Sequence, residues 1–122
     1  MNYLAIFIGG GLGSLLRFGV SNFTLKFHKG NFPLGTLLSN LIACLILAVF
    51  LLYISNRSHI QLWQKQFVLV GICGGFSTFS TFSLETLKLF KSGNHIIGIA
   101  NIIISIVITL LVMYALLKNY EA

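Results

Sequence analysis

Four apolar runs, each long enough to cross a lipid bilayer as a helix, occupy nearly the whole chain and leave it few other ways to fold. A hydrocarbon core of roughly 30 Å is crossed by about 20 helical residues. The runs lie at about residues 3–23, 33–54, 66–90 and 96–117. Only Arg17 interrupts the first, and Pro33, the single proline, opens the second, where the first helical turn tolerates a missing amide hydrogen. The connections are short and polar: Lys26 to Asn31, Ser55 to Gln64, and Lys91 to Asn94. Strands of a membrane β-barrel alternate in polarity at every second residue. These runs do not, so the expected fold is all-α: four transmembrane helices forming a single domain over residues 1–122, with no soluble domain.

Composition agrees. Hydrophobic residues make up 57% of the chain and charged residues 8%, against about a quarter charged in a soluble domain, so the outer surface is expected to face lipid. The net charge of +6 comes from eight Lys and Arg against Glu85 and Glu121. These cations are scattered over the connections rather than gathered into a patch, which argues against a nucleic-acid partner. Cys44 and Cys73 lie mid-run and read as small apolar residues. His28, His59 and His95 fall at or near connections and read as solvated. With no metal-ligand spacing and no nucleophile beside a base, an enzyme is the least expected class, and no organic cofactor is implied. The first cation, Arg17, follows the first apolar stretch instead of preceding it, so that stretch is not expected to be a cleaved signal.

Orientation in a membrane normally follows an excess of Lys and Arg in cytoplasmic loops. With four crossings, Arg57, Lys65 and Lys118 fall on one side, and Lys26, Lys29, Lys88 and Lys91 on the other. Three against four is close to no bias. The expectation is insertion in both orientations and antiparallel pairing, with one dominant loop and a single orientation as the alternative. Small residues at four-residue spacing permit close helix approach. They occur as Gly9 and Gly13, as Gly35, Ser39 and Ala43, and as Gly71 and Gly75, and are read as serving both internal packing and a homodimer contact.

The third run carries the chemistry. Residues 71–85 read GICGGFSTFSTFSLE. Glycine pairs and back-bonding hydroxyls loosen a helix, and unwound backbone at membrane depth persists only inside protein or beside a wet cavity. A break is therefore expected near Gly74 to Thr78, with released carbonyls suited to a small desolvated cation. Phe76, Phe79 and Phe82 recur at three-residue spacing, interleaved with Ser77, Thr78, Ser80, Thr81 and Ser83. Ring edges are electropositive, so rings and hydroxyls together can solvate a small, strongly hydrogen-bonding anion. A Ser/Thr-rich packing face is the plainer reading of the hydroxyls.

Asn40, with Thr36 a turn before it, is read as part of an ion path in the second helix. On the fourth, Asn101, Ser105 and Thr109 share one face and serve either as interhelical glue or along the path. Arg17 either snorkels to an interface or raises the anion concentration at a vestibule. Glu85 would repel an anion unless protonated or paired, and Lys88 stands three residues on.

At these residues the chain resembles the bacterial fluoride channel family known as Fluc or CrcB. The resemblance runs over essentially the full length, through GGGLGSLLRF in the first helix, GTLLSN in the second and GGFSTFSTFSLE in the third. It implies an antiparallel, dual-topology homodimer in the bacterial plasma membrane, with two fluoride pores and one central structural sodium ion. By position it implies pore roles for Asn40, Phe79 and Phe82 and a polar track at Ser80 and Thr81, with Glu85 near its end. Ser83, Ser105 and Thr109 are further pore or vestibule candidates, and Arg17 matches the family's first-helix arginine. The sodium ligands fall on the backbone carbonyls of Gly74 and Ser77. Ser77 stands where threonine is usual, Phe18 where a different aromatic is common, and Ala43 where glycine is frequent. The implied function is passive export of fluoride. A small four-helix drug antiporter is the leading rival. It wants a membrane-embedded carboxylate in the first helix, where this chain has Arg17 and no acid. A non-transporting membrane subunit is the third reading.

Overall fold

A computed structural model describes residues 1–120; Glu121, counted in the charge balance above, lies outside them. The described residues form helices α1 (Asn2–Phe27), α2 (Leu34–Ser55), α3 (Leu62–Lys65), α4 (Cys73–Phe76), α5 (Ser80–Lys91) and α6 (His95–Leu117). A π-helical segment, Gln66–Ile72, joins α3 to α4. Four stretches are long and apolar enough to cross a membrane: Asn2–Phe27, Leu34–Ser55, Leu62–Lys91 and His95–Leu117.

The boundaries differ from the hydropathy reading where local hydrogen bonds take over. α1 runs on to Phe27, and the backbone N–H of His28 closes its last turn on Thr24. Pro33 is the N-cap of α2 rather than its first helical residue. The third span opens at Leu62 because Gln61 and Gln64 form a reciprocal capping box, which draws Lys65 into the helix. At the other end, α5 stops at Gly93, the one positive-φ residue among those described (φ 86°). There the N–H of Asn94 bonds the Leu89 carbonyl at 2.9 Å, and that of Gly93 bonds Phe90 at 3.2 Å. A side chain on the left-handed residue would be strained, so glycine is what lets the chain reverse directly into α6.

Packing is set by glycine. The buried residues Gly9 and Gly13 lie one turn apart on α1 and face the third span. A Cβ on Gly9 would strike the backbone carbonyl of Phe67 and come within 3.0 Å of the Gly71 Cα. One on Gly13 would meet the Phe76 nitrogen at 2.8 Å, and one on Gly75 would collide with the backbone of Gly10. The two helices therefore touch backbone to backbone, so these small residues work inside one chain. On α2 the face carrying Thr36, Ser39 and Ala43 is buried, and α2 packs against α1, α4 and α6. The core is thin. Large apolar residues such as Phe7, Leu15, Leu110 and Tyr114 stay exposed, as suits a chain bathed in lipid.

The π turn has no counterpart in the sequence reading. Such turns appear as local widenings of α-helices, often near functional sites, and this one leads directly into the glycine-rich contact with α1.

Candidate functional site

Regular helix lapses over residues 77–79, between α4 and α5. The Cys73 carbonyl accepts two bonds from Ser77, from its N–H at 3.0 Å and its hydroxyl at 2.8 Å. Ser77 itself is extended (φ −80°, ψ 153°). The next residue is clasped from another helix. The N–H of Thr78 donates to Oδ1 of Asn40 at 2.6 Å, and Nδ2 of Asn40 donates to the Thr78 carbonyl at 3.1 Å. One side-chain amide thus pairs with one backbone residue as neighbouring strands do. The Thr78 hydroxyl then accepts the N–H of Thr81 at 3.2 Å, capping the first turn of α5.

Two cavities flank this clasp, and a third neighbours the second. The first, 310 Å³, is lined by Asn40, Cys44, Ser77, Thr78, Phe79, Phe82, Ser105, Ile106 and Thr109. The Phe79 and Phe82 rings stand 5.8 Å apart and tilted by 35°, and Phe79 is 79% exposed. Phe76 does not join them. It is buried at 2% exposure beside Gly13, because the lapse in the helix ends the three-residue register after it. The second cavity, 210 Å³, brings Arg17 together with Ser14, Phe18, Ser21, Thr36, Thr78 and Thr81. The third, 140 Å³, holds Glu85 with Ser21, Thr24, Thr36 and His28 under the α1–α2 connection. Thr78 is common to the first and second, and Ser21 and Thr36 to the second and third.

The sequence-derived candidates thus divide. Asn40, Phe79, Phe82, Ser105 and Thr109 meet at the first cavity, while Arg17 and Thr81 meet at the second. Ser80 and Ser83 lie exposed on α5 and line neither of those two. Glu85 sits in the third, with Oε2 buried and without a hydrogen-bond partner. Gly74 and Ser77 are exposed on the surface of the chain, and a Cβ at Gly74 would meet nothing within 4 Å.

On α6 the polar stripe is a relay. Thr109 donates to the Ser105 carbonyl (2.7 Å), Ser105 to Oδ1 of Asn101 (3.2 Å), and Asn101 to the Thr86 hydroxyl (2.9 Å). Asn101, 1% exposed, ties α6 to α5. Ser105 and Thr109 reach the first cavity with their hydroxyl hydrogens turned back into the protein. His28 is not simply solvated: its ring nitrogen donates to the Phe32 carbonyl at 3.1 Å.

Sequence reasoning missed Thr78 as a site residue, along with Ser14 and Ser21. Thr78 stands inside the FSTFST run, but only the fold brings Asn40 to it. Ser14 and Ser21, three residues before and four after Arg17, share its helical face and look like ordinary small helix residues.

Helices long and apolar enough to cross a membrane, with neighbouring polar and aromatic-lined cavities between them, define a multi-pass membrane protein. The particular family follows from its relatives. The family described as CrcB-like protein, Camphor Resistance (CrcB), matches residues 4–116, and the chain belongs to it. Similar proteins include a "Fluoride-specific ion channel FluC" of Coxiella burnetii (strain CbuK_Q154), 38% identical over 108 residues, 87% of this chain and 86% of the relative. Another, of Clostridium perfringens (strain 13 / Type A), is 40% identical over 108 residues, 88% of this chain and 84% of the relative. A third, of Phocaeicola vulgatus, is 41% identical over 108 residues and 88% of each chain. The resemblance carried by the three motifs is borne out, and the family is not one of enzymes.

Proposed function

We propose that this protein is a fluoride-selective channel that exports fluoride passively across the plasma membrane. The observation that carries the reading is the series of neighbouring cavities that share lining residues, Thr78 between the first and second and Ser21 and Thr36 between the second and third. Together they lead from a pair of phenyl rings past an arginine to a glutamate. The relatives' shared name for their ion supports it. A small anion entering the first cavity meets ring edges and the second amide hydrogen of Asn40, the first being held by Thr78. Those donors replace water without a fixed positive charge that would trap the ion. Arg17 in the second cavity supplies the attraction that draws the anion onward. Glu85 marks the far end.

The working unit is an antiparallel homodimer. Ser77, Ser80 and Ser83 are exposed on a span that lipid would otherwise surround, and polar groups in hydrocarbon are costly unless protein covers them. The exposed carbonyl residues Gly74 and Ser77, doubled by a partner, fit one hard monovalent cation such as sodium on the two-fold axis. The near-equal loop charges permit the opposed insertion such a dimer needs. Export needs no energy coupling: neutral HF enters from an acidic exterior, dissociates inside, and the anion leaves through the pore.

The test is efflux from liposomes loaded with fluoride, with chloride and a proton-coupled drug cation in parallel. Fluoride efflux without chloride efflux is expected. Flux of the drug cation with no fluoride efflux would instead favour the antiporter reading.

A further inference from the structure

The lapse after α4 is maintained by two diverted donors, and both diversions pass through Thr78. In an unbroken helix the carbonyl of Gly74 would accept the N–H of Thr78, and the carbonyl of Ser77 would accept the N–H of Thr81. Neither bond is made. The Thr78 N–H goes to Oδ1 of Asn40 at 2.6 Å, and the Thr81 N–H goes to the Thr78 hydroxyl at 3.2 Å. Among the described residues no backbone N–H outside the helices closes on either carbonyl. At ψ 153° the Ser77 carbonyl has also turned away from the helix axis.

We infer that Asn40 and Thr78 are positioning residues for a monovalent-cation site, releasing the Gly74 and Ser77 carbonyls by taking the two N–H groups that would otherwise occupy them. The inference rests on the proposed sodium-bearing dimer and adds to it the side chains that make the ligands available. Neither side chain is asked to touch the cation. An N–H bonded to a carbonyl presents its positive end where a cation would sit and holds the oxygen along the helix axis. Removing it leaves the lone pairs free and the group able to turn. The clasp also explains why the amide of Asn40 spends both its oxygen and one hydrogen on a single backbone residue, an arrangement that a purely ion-facing asparagine does not need. Thr78 is equally economical: its backbone fills the Asn40 amide while its hydroxyl oxygen caps α5.

The experiment measures thermal unfolding of the purified full-length protein as sodium replaces N-methylglucamine. Wild type is expected to gain stability with sodium in a saturable way. Thr78→Val keeps shape and backbone but loses the hydroxyl, returning the Thr81 N–H to Ser77. Asn40→Leu returns the Thr78 N–H to Gly74. Each should raise the half-saturating sodium concentration at least about tenfold, the scale of one lost interaction with a charged group. Thr78→Ser should restore the wild-type value. A merely structural role would lower the melting temperature in both cations and leave the sodium dependence unchanged, and that result overturns the inference. If Thr78→Val does not assemble, Thr78→Cys, whose sulfur is a weak acceptor, carries the same test, and wild-type sodium dependence in it is equally fatal. Wild type with no sodium response would remove the cation site and this inference together, while fluoride efflux, measured separately, would still decide the channel reading.

Discussion

Phe79 and Phe82 share a cavity and a face, whereas Phe76, three residues before them, is core. That division separates two kinds of phenylalanine which the sequence presents as one stripe. Replacing Phe79 or Phe82 with Ile keeps bulk and apolar character but removes the polarised ring edge. Fluoride flux per folded protein is expected to fall on the order of tenfold or more, equivalent to about 1.4 kcal/mol on the barrier, with assembly intact. Phe76→Ile should do the reverse, lowering yield or melting temperature while whatever assembles conducts. Efflux normalised to monodisperse protein on size exclusion checks both, and equal behaviour of the three positions would contradict the division.

Between elements, contact is made either by bare backbone or by a hydroxyl relay. Where α1 meets the third span, glycines bring the helices together so closely that a Cβ added at Gly9, Gly13, Gly71 or Gly75 has a backbone atom in its way. Where α6 meets α5, Asn101 does the joining by donating to Thr86, whose hydroxyl in turn donates to the Phe82 carbonyl at 2.8 Å. A double-mutant cycle of Asn101→Leu with Thr86→Val should give a coupling near the average for interhelical hydrogen bonds in membranes, about 0.6 kcal/mol and no more than about 1.7. Because Thr86 bonds Phe82, flux should also drop in the Asn101 variant. Unfolding in detergent measures the first effect and liposome efflux the second, and zero coupling would mean that the two helices are held by packing alone.

At the scale of the whole molecule, the chain encloses little. Its cavities open to the outside, and its hydroxyl-bearing face on α5 is exposed. In the proposed dimer, a second copy inserted in the opposite sense would cover such a face, and its insertion would need no strong charge bias. Reporter fusions at the C-terminus are therefore expected to report both sides of the membrane for the unmodified protein. Adding a pair of lysines to either the α2–α3 or the α5–α6 connection should shift the population toward the orientation that keeps that connection cytoplasmic. A single orientation that added charge does not alter would count against opposed insertion.

The sequence alone determined that this is a helical membrane protein and which family it belongs to. Apolar length, short polar connections and the order of three glycine- and hydroxyl-rich motifs are local properties, readable without any knowledge of what packs on what. It also marked the stretch where chemistry concentrates, because a run of Gly, Ser, Thr and Phe has no use on a face turned to lipid. Only the tertiary structure decided which of those groups meet. The clasp of Asn40 on Thr78 joins residues 38 apart in the chain. The relay through Asn101 spans 15 positions, and the separation of Phe76 from its neighbours follows from a helix that lapses between them. Hydrogen bonds act over a few ångströms in space and carry no trace of sequence distance. The partners of a buried amide or hydroxyl are therefore set by how the helices cross. Here backbone contacts at glycines fix the crossing of α1 on the third span, while Asn40 and Asn101 find their partners where α2 and α6 pack against that span.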